Sequence, residues 1–135
     1  LHADPGRDLC KVAVIERRLR FLDERGIPWI LAGDFNMLPP GESPQRLGDE
    51  AKMYADAQSP IAPLYERYRS GVRDADYRKS PERHYTYLRY GARRPDRRID
   101  YVFVSAGVEI HDFRVVREKT PSSDHLPLLL EASVR

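Results

Sequence analysis

Asp34 and Asn36 follow the apolar run Trp29-Ile30-Leu31-Ala32 in the stretch ILAGDFNMLPP. Asp100 interrupts the apolar and aromatic stretch RIDYVFVS, Asp124 and His125 stand directly before LPLLL, and His2 lies in LHADP. Carboxylates, an amide and water are the ligands of hard cations, so this set suits Mg²⁺ or Mn²⁺. Zinc would want more histidine or cysteine. A hard cation beside histidines is suited to hydrolysing phosphate esters. The ion neutralises phosphate charge and helps generate hydroxide, while imidazoles hold or protonate the phosphoryl oxygens. The uncatalysed reactions are slow enough that several such devices are needed together. Each residue also has an ordinary reading. Gly, Asp, Asn and Pro are common turn residues, Asp100 can pair with a nearby arginine, Asp124-His125 fits a turn in a serine-rich loop, and a histidine near a chain end is usually exposed. What sets the group apart is its place at the ends of expected strands, where an α/β scaffold gathers its sites.

The elements that must position these residues follow from periodicity and punctuation. Val12, Ile15, Leu19 and Leu22 recur at spacings of three and four, which predicts a helix over residues 8–25 capped by Asp8 and stopped by Gly26. Residues 28–32 then read as a short strand buried on both faces, and a helix leading straight into a strand is the unit of a layered α/β fold. Ser43-Pro44 opens a short helix to about residue 47. The stretch 49–82 is irregular, with a short helix over residues 63–68 and loop elsewhere. Strands are expected at 84–88, 98–105, 108–117 and 127–134, with a turn at 91–95. No internal repeat or linker divides the chain.

At 135 residues the chain holds one domain at most. Its net charge of +2 argues for no partner alone, but Arg89, Arg93, Arg94, Arg97 and Arg98 gather within ten residues, diluted by Asp96. This turn is either a solvated hairpin or a grip for a nucleic-acid backbone or an anionic lipid head group. Tyr85, Tyr87, Tyr90 and Tyr101 either pack or offer stacking surface for bases. Cys10 is the sole cysteine, so no internal disulfide forms and the compartment is left open. No apolar run approaches the ~18 residues of a membrane span. The chain starts at Leu1 without a methionine, which suggests a fragment or a trimmed chain.

Taken in order, LHADP, GDFN, RIDYVFVS and SSDHLPL resemble the second half of the endonuclease/exonuclease/phosphatase superfamily, the DNase I-like fold. The resemblance implies the C-terminal half of a four-layer α/β sandwich, with mixed, mainly antiparallel sheets and flanking helices. It implies a phosphoesterase or phosphodiesterase dependent on Mg²⁺ or Mn²⁺. By this resemblance Asp34 orients or deprotonates the attacking water, and Asn36 holds the nucleophile and a phosphate oxygen. His125 hydrogen-bonds the scissile phosphate, Asp100 orients that imidazole, and His2 binds phosphate or protonates the leaving oxygen. Asp124, Asp34 and Asn36 lie at the metal. Members of the family also carry an asparagine and a metal-binding glutamate in a preceding half that has no counterpart here. A longer polypeptide or a second chain is therefore expected to complete the fold, and these 135 residues alone are expected to be inactive. The family spans nucleases, sphingomyelinases and inositol-phosphate phosphatases, so the fold does not choose the substrate. No protruding apolar segment suggests membrane insertion, and nucleic acid is placed slightly ahead of phospholipid. A non-catalytic half-domain kept for binding is the alternative.

Overall fold

The computed structural model describes residues 5–54, 59–117 and 123–135, with side chains from Cys10 onward. Helix α1 (Pro5–Asp23) opens on a proline, whose missing N–H is one that a first turn leaves unbonded in any case. Asp8 therefore lies inside the helix rather than capping it. Val12 and Leu19 are buried, and Ile15 and Leu22 pack on the same core, so the expected apolar stripe is the inward face. Gly26 ends the turn after the helix at φ +64°, a conformation strained for an L side chain. The Trp29 indole N–H donates to Asp23 at 2.7 Å and ties the helix end to the strand that follows.

That strand, β1 (Ile30–Asp34), runs antiparallel to β3 (Asp100–Val104), which pairs on its other edge with the two-residue β2 (Arg69–Ser70). Leu31 joins Trp29, Tyr101 and Phe103 in a core that also takes in α1 and Leu64 of α2 (Ala62–Arg67). The opposite face of β3 presents Val102 and Val104 to the hairpin of β4 (Val108–Val115) and β5 (Leu128–Val134). Helices, a small sheet and a hairpin thus stack as successive layers.

Several expectations need correction. β1 is not buried on both faces: Ile30 is 52% exposed and Ala32 is exposed too. The strand lies at the sheet edge, and the hairpin covers β3 without reaching it. In the stretch 49–82, α2 is the helix expected over 63–68, but the remainder is more ordered than expected, since it also holds β2 and α3 (Asp74–Lys79), and a 3-10 segment (Pro44–Tyr54) broken at Gly48 precedes them. The expected strand at 84–88 reduces to single bridges from Tyr87 to Arg97 and to His125. Its backbone groups divide between two partners: Thr86 N–H donates to Arg97, whereas Leu88 N–H donates to Asp124. No continuous ladder forms. Among the described residues no helix is long and apolar enough to cross a membrane.

Candidate active site

The β1–β3 register sets Asp34 directly opposite Asp100. Opposed residues share a face of the sheet, and like charges there destabilise the pair. His125 supplies a counter-charge from the loop before β5. Its Nδ1 lies 2.9 Å from Asp100 Oδ2 and its Nε2 lies 4.0 Å from Asp34 Oδ2. A carboxylate only accepts, so Nδ1 carries the proton toward Asp100 and Nε2 faces Asp34. Four ångströms is too long for a direct hydrogen bond and leaves room for one bridging oxygen. The loop is held from several sides. Asp124 O accepts from Leu88 N–H at 2.7 Å, Thr86 O from Leu126 N–H at 2.7 Å, and Ser123 Oγ from His125 N–H at 3.1 Å. The Tyr87 ring meets the imidazole edge-on, with centroids 5.2 Å apart.

Asn36 adopts φ 54°, a left-handed conformation that asparagine tolerates better than most residues. There its backbone N–H and its Nδ2 both donate to the Asp34 carboxylate, at 2.8 and 2.9 Å. The strand tip thus holds Asp34 by two hydrogen bonds. Burial pushes the Asp34 carboxyl above its ordinary pKa; Asp100 adds to the rise, while the Asn36 hydrogen bonds and His125 temper it. Burial works against the His125 imidazolium, yet the Asp100 hydrogen bond and the charges of Asp100, Asp34 and Asp124 outweigh it and raise its pKa.

Ligand-capable atoms of Asp34, Asp100 and His125 all lie within 4.8 Å of one another. Asn36 joins this cluster through Asp34, to which its amide Nδ2 donates. Asp124 is exposed, hydrogen-bonds Ser123 Oγ at 3.5 Å, and lies outside the three-residue cluster, acting on His125 through its charge. His2 lies outside the described residues. Two opposed, partly exposed carboxylates fit a hard divalent cation, which would be held by Asp34 and Asp100 and would keep several waters. His125, engaged at Nδ1, is left for proton chemistry.

The surroundings contain supports that the sequence did not flag. Arg97, read as part of an open basic turn, has its side chain only 1% exposed. Its guanidinium meets Asp96 at 2.7 and 3.1 Å and Glu50 at 2.5 Å, and it lies over the Tyr87 ring at 5.0 Å. It braces the tyrosine that touches His125. Arg98 is equally buried, bonded to Ser70 at 3.1 Å and lying over Tyr101 at 4.6 Å. Only Arg89, Arg93 and Arg94 of the basic cluster remain at the surface. Glu50 lies too far along the chain for any local spacing to have revealed this arrangement.

The sequence profile of the Endonuclease/Exonuclease/phosphatase family matches residues 3–125, and the chain belongs to that family. Among solved structures it is similar to the mannosyl-6-phosphatase of Bacteroides thetaiotaomicron VPI-5482, with a TM-score of 0.59 and 15% identity. The likeness covers 98% of this chain and 48% of that one. At this identity it is a likeness of fold, and it agrees with the mixed α/β, DNase I-like architecture. No curated protein matches the sequence.

Proposed function

We propose that this chain carries much of the catalytic centre of a Mg²⁺- or Mn²⁺-dependent phosphoesterase acting on a phosphodiester. The main support is the 4.0 Å gap between His125 Nε2 and Asp34 Oδ2, flanked by Asp100. One oxygen fits in that gap, so a phosphoryl group seated at its mouth meets an acid on one side and a base on the other. Asp34, fixed by two hydrogen bonds from Asn36, takes a proton from the attacking water. Asn36 fixes the plane of that carboxylate. The His125 imidazolium offers Nε2–H to a phosphoryl oxygen and stabilises the charge that grows there, while Asp100 keeps the ring oriented and protonated. Held by the carboxylates, the cation would neutralise phosphate charge and acidify bound water. On the family pattern, His2 protonates the leaving oxygen and Asp124 adds to the metal site.

Nucleic acid is favoured over phospholipid because of the loop that follows Tyr87. Tyr90 is 99% exposed, and Arg93 and Arg94 are exposed with no carboxylate partner among the described residues. An aromatic face beside unpaired guanidinium groups suits bases and phosphates. The open face of β1, with Ile30 and Ala32, supports completion of the domain by further sequence or a second chain, which would also bring the missing carboxylate.

The test is to assay the natural protein with Mg²⁺ and with EDTA against single- and double-stranded nucleic acid and against sphingomyelin. Metal-dependent cleavage of nucleic acid supports the reading, and cleavage of lipid alone moves the substrate to a phospholipid. Binding without turnover of any phosphate ester would establish the non-catalytic half-domain instead.

A further inference from the structure

Thr86 is fully buried between the two halves of the Asp100–His125 pair. Its Oγ1 accepts from the backbone N–H groups of both Ile99 and Asp100, each at 3.2 Å. Its carbonyl accepts Leu126 N–H at 2.7 Å, and its own N–H donates to Arg97 O at 2.8 Å. A regular strand sends successive N–H groups to opposite sides. Two consecutive ones converging on a single hydroxyl therefore mark an irregular start to β3. β1 bonds one edge here, through Phe35 N–H to Ile99 O at 2.9 Å, whereas on the other edge β2 pairs with Phe103 and Val104 and the last bond, from Gly71 N–H, goes to Val102 O. The Thr86 hydroxyl takes the place of the absent ladder.

We propose that Thr86 is the positioning residue of the Asp100–His125 pair. Its hydroxyl holds the backbone that carries Asp100, and its carbonyl holds the residue after His125. One side chain thereby sets the separation of the carboxylate and the imidazole. The kinetic part of this inference rests on the phosphoesterase reading; the hydrogen bond itself does not.

The experiment compares Thr86→Val, which keeps the shape and removes the acceptor, with Thr86→Ser, which keeps the acceptor. The first readout needs no turnover: the low-field proton resonance of His125 Nδ1–H in its bond to Asp100. Valine should abolish or broaden it and serine should preserve it. The second readout is steady-state kinetics. Valine should lower kcat about tenfold or more with KM within about twofold, and serine should restore kcat. In an Asp100→Ala background, valine should cost less than about twofold further, because the pair it serves is already gone. If Thr86→Val does not fold, Thr86→Ala takes its place with the same expectations. An unaltered resonance in the valine variant would overturn the proposal. So would serine failing as badly as valine, or losses that multiply fully with Asp100→Ala. If the wild type turns over no phosphodiester, the phosphoesterase reading fails while the resonance still decides the role of Thr86.

Discussion

Asp100→Asn keeps the shape of the side chain and an acceptor for His125 Nδ1 but removes the charge. Charge-assisted hydrogen bonds contribute about 1.5–3 kcal/mol, and this one leads the influences that keep the ring protonated. With the side chains of His125 and Asp100 30% and 14% exposed, solvent screening favours the lower figure. Burial, which opposes the charged ring, persists in the variant, as do Asp34 and Asp124. In metal-free protein the His125 pKa should fall. Stability follows with a definite sign. A folded pKa above the unfolded value, about 6.5, means that His125 contributes stability fully below that value. The contribution is lost as pH rises through the folded pKa. In the asparagine variant this loss between neutral and mildly alkaline pH should largely disappear. The assay is an NMR titration of the histidine ring protons in EDTA, with His125 assigned from His125→Gln. His84, whose pKa burial and nearby arginines lower, serves as an internal control. A His125 pKa unchanged in Asp100→Asn would refute the charge pairing.

Further substitutions test the remaining parts. Asp34→Asn and His125→Ala should each lower turnover at least roughly a hundredfold, with the melting temperature little changed, as for groups acting in the transition state; near-normal kcat would remove that residue from the mechanism. Gly71→Ala places a Cβ 2.5 Å from the Phe113 ring and should destabilise by about 1–3 kcal/mol in urea titration. Phe113→Leu in the same protein should recover part of that loss. Arg97→Met should cost about 1–3 kcal/mol by leaving Asp96 without its cation and Glu50 with only the more distant Arg89, and an unchanged urea midpoint would show that the pair is not holding the loop.

The site was legible because its residues come as short motifs at strand ends, and pairing alone brings Asp34 opposite Asp100. The α1 stripe was legible because spacings of three and four define one helical face. The run Trp29-Ile30-Leu31-Ala32 misled because apolar letters do not reveal whether both faces are covered. Trp29 is buried whereas Ile30 is half open. Residues 84–88 carry the composition of a strand, but side-chain pattern does not say which backbone groups find partners. Arg97 and Thr86 were invisible as supports because their partners, Glu50 and the pair Ile99–Asp100, meet them only through the tertiary fold.

Two local rules are broken at β1: like charges oppose each other at its tip, and apolar side chains face water along its length. Departures of this kind concentrate where a fold serves a function, and the two call for different remedies. A cation held by the carboxylates would answer the first and would leave Ile30 exposed. Only a covering layer answers the second, and that distinction can be measured. Ile30→Lys should change the stability of the 135-residue chain by no more than about 0.5 kcal/mol, as expected of a surface substitution. In a longer form of the protein or a complex that covers Ile30, a lysine without a partner should cost several-fold more, on the order of 2 kcal/mol or above. Equal small effects in both would show that β1 stays open to solvent, and the completing layer would have to be sought against another part of the fold.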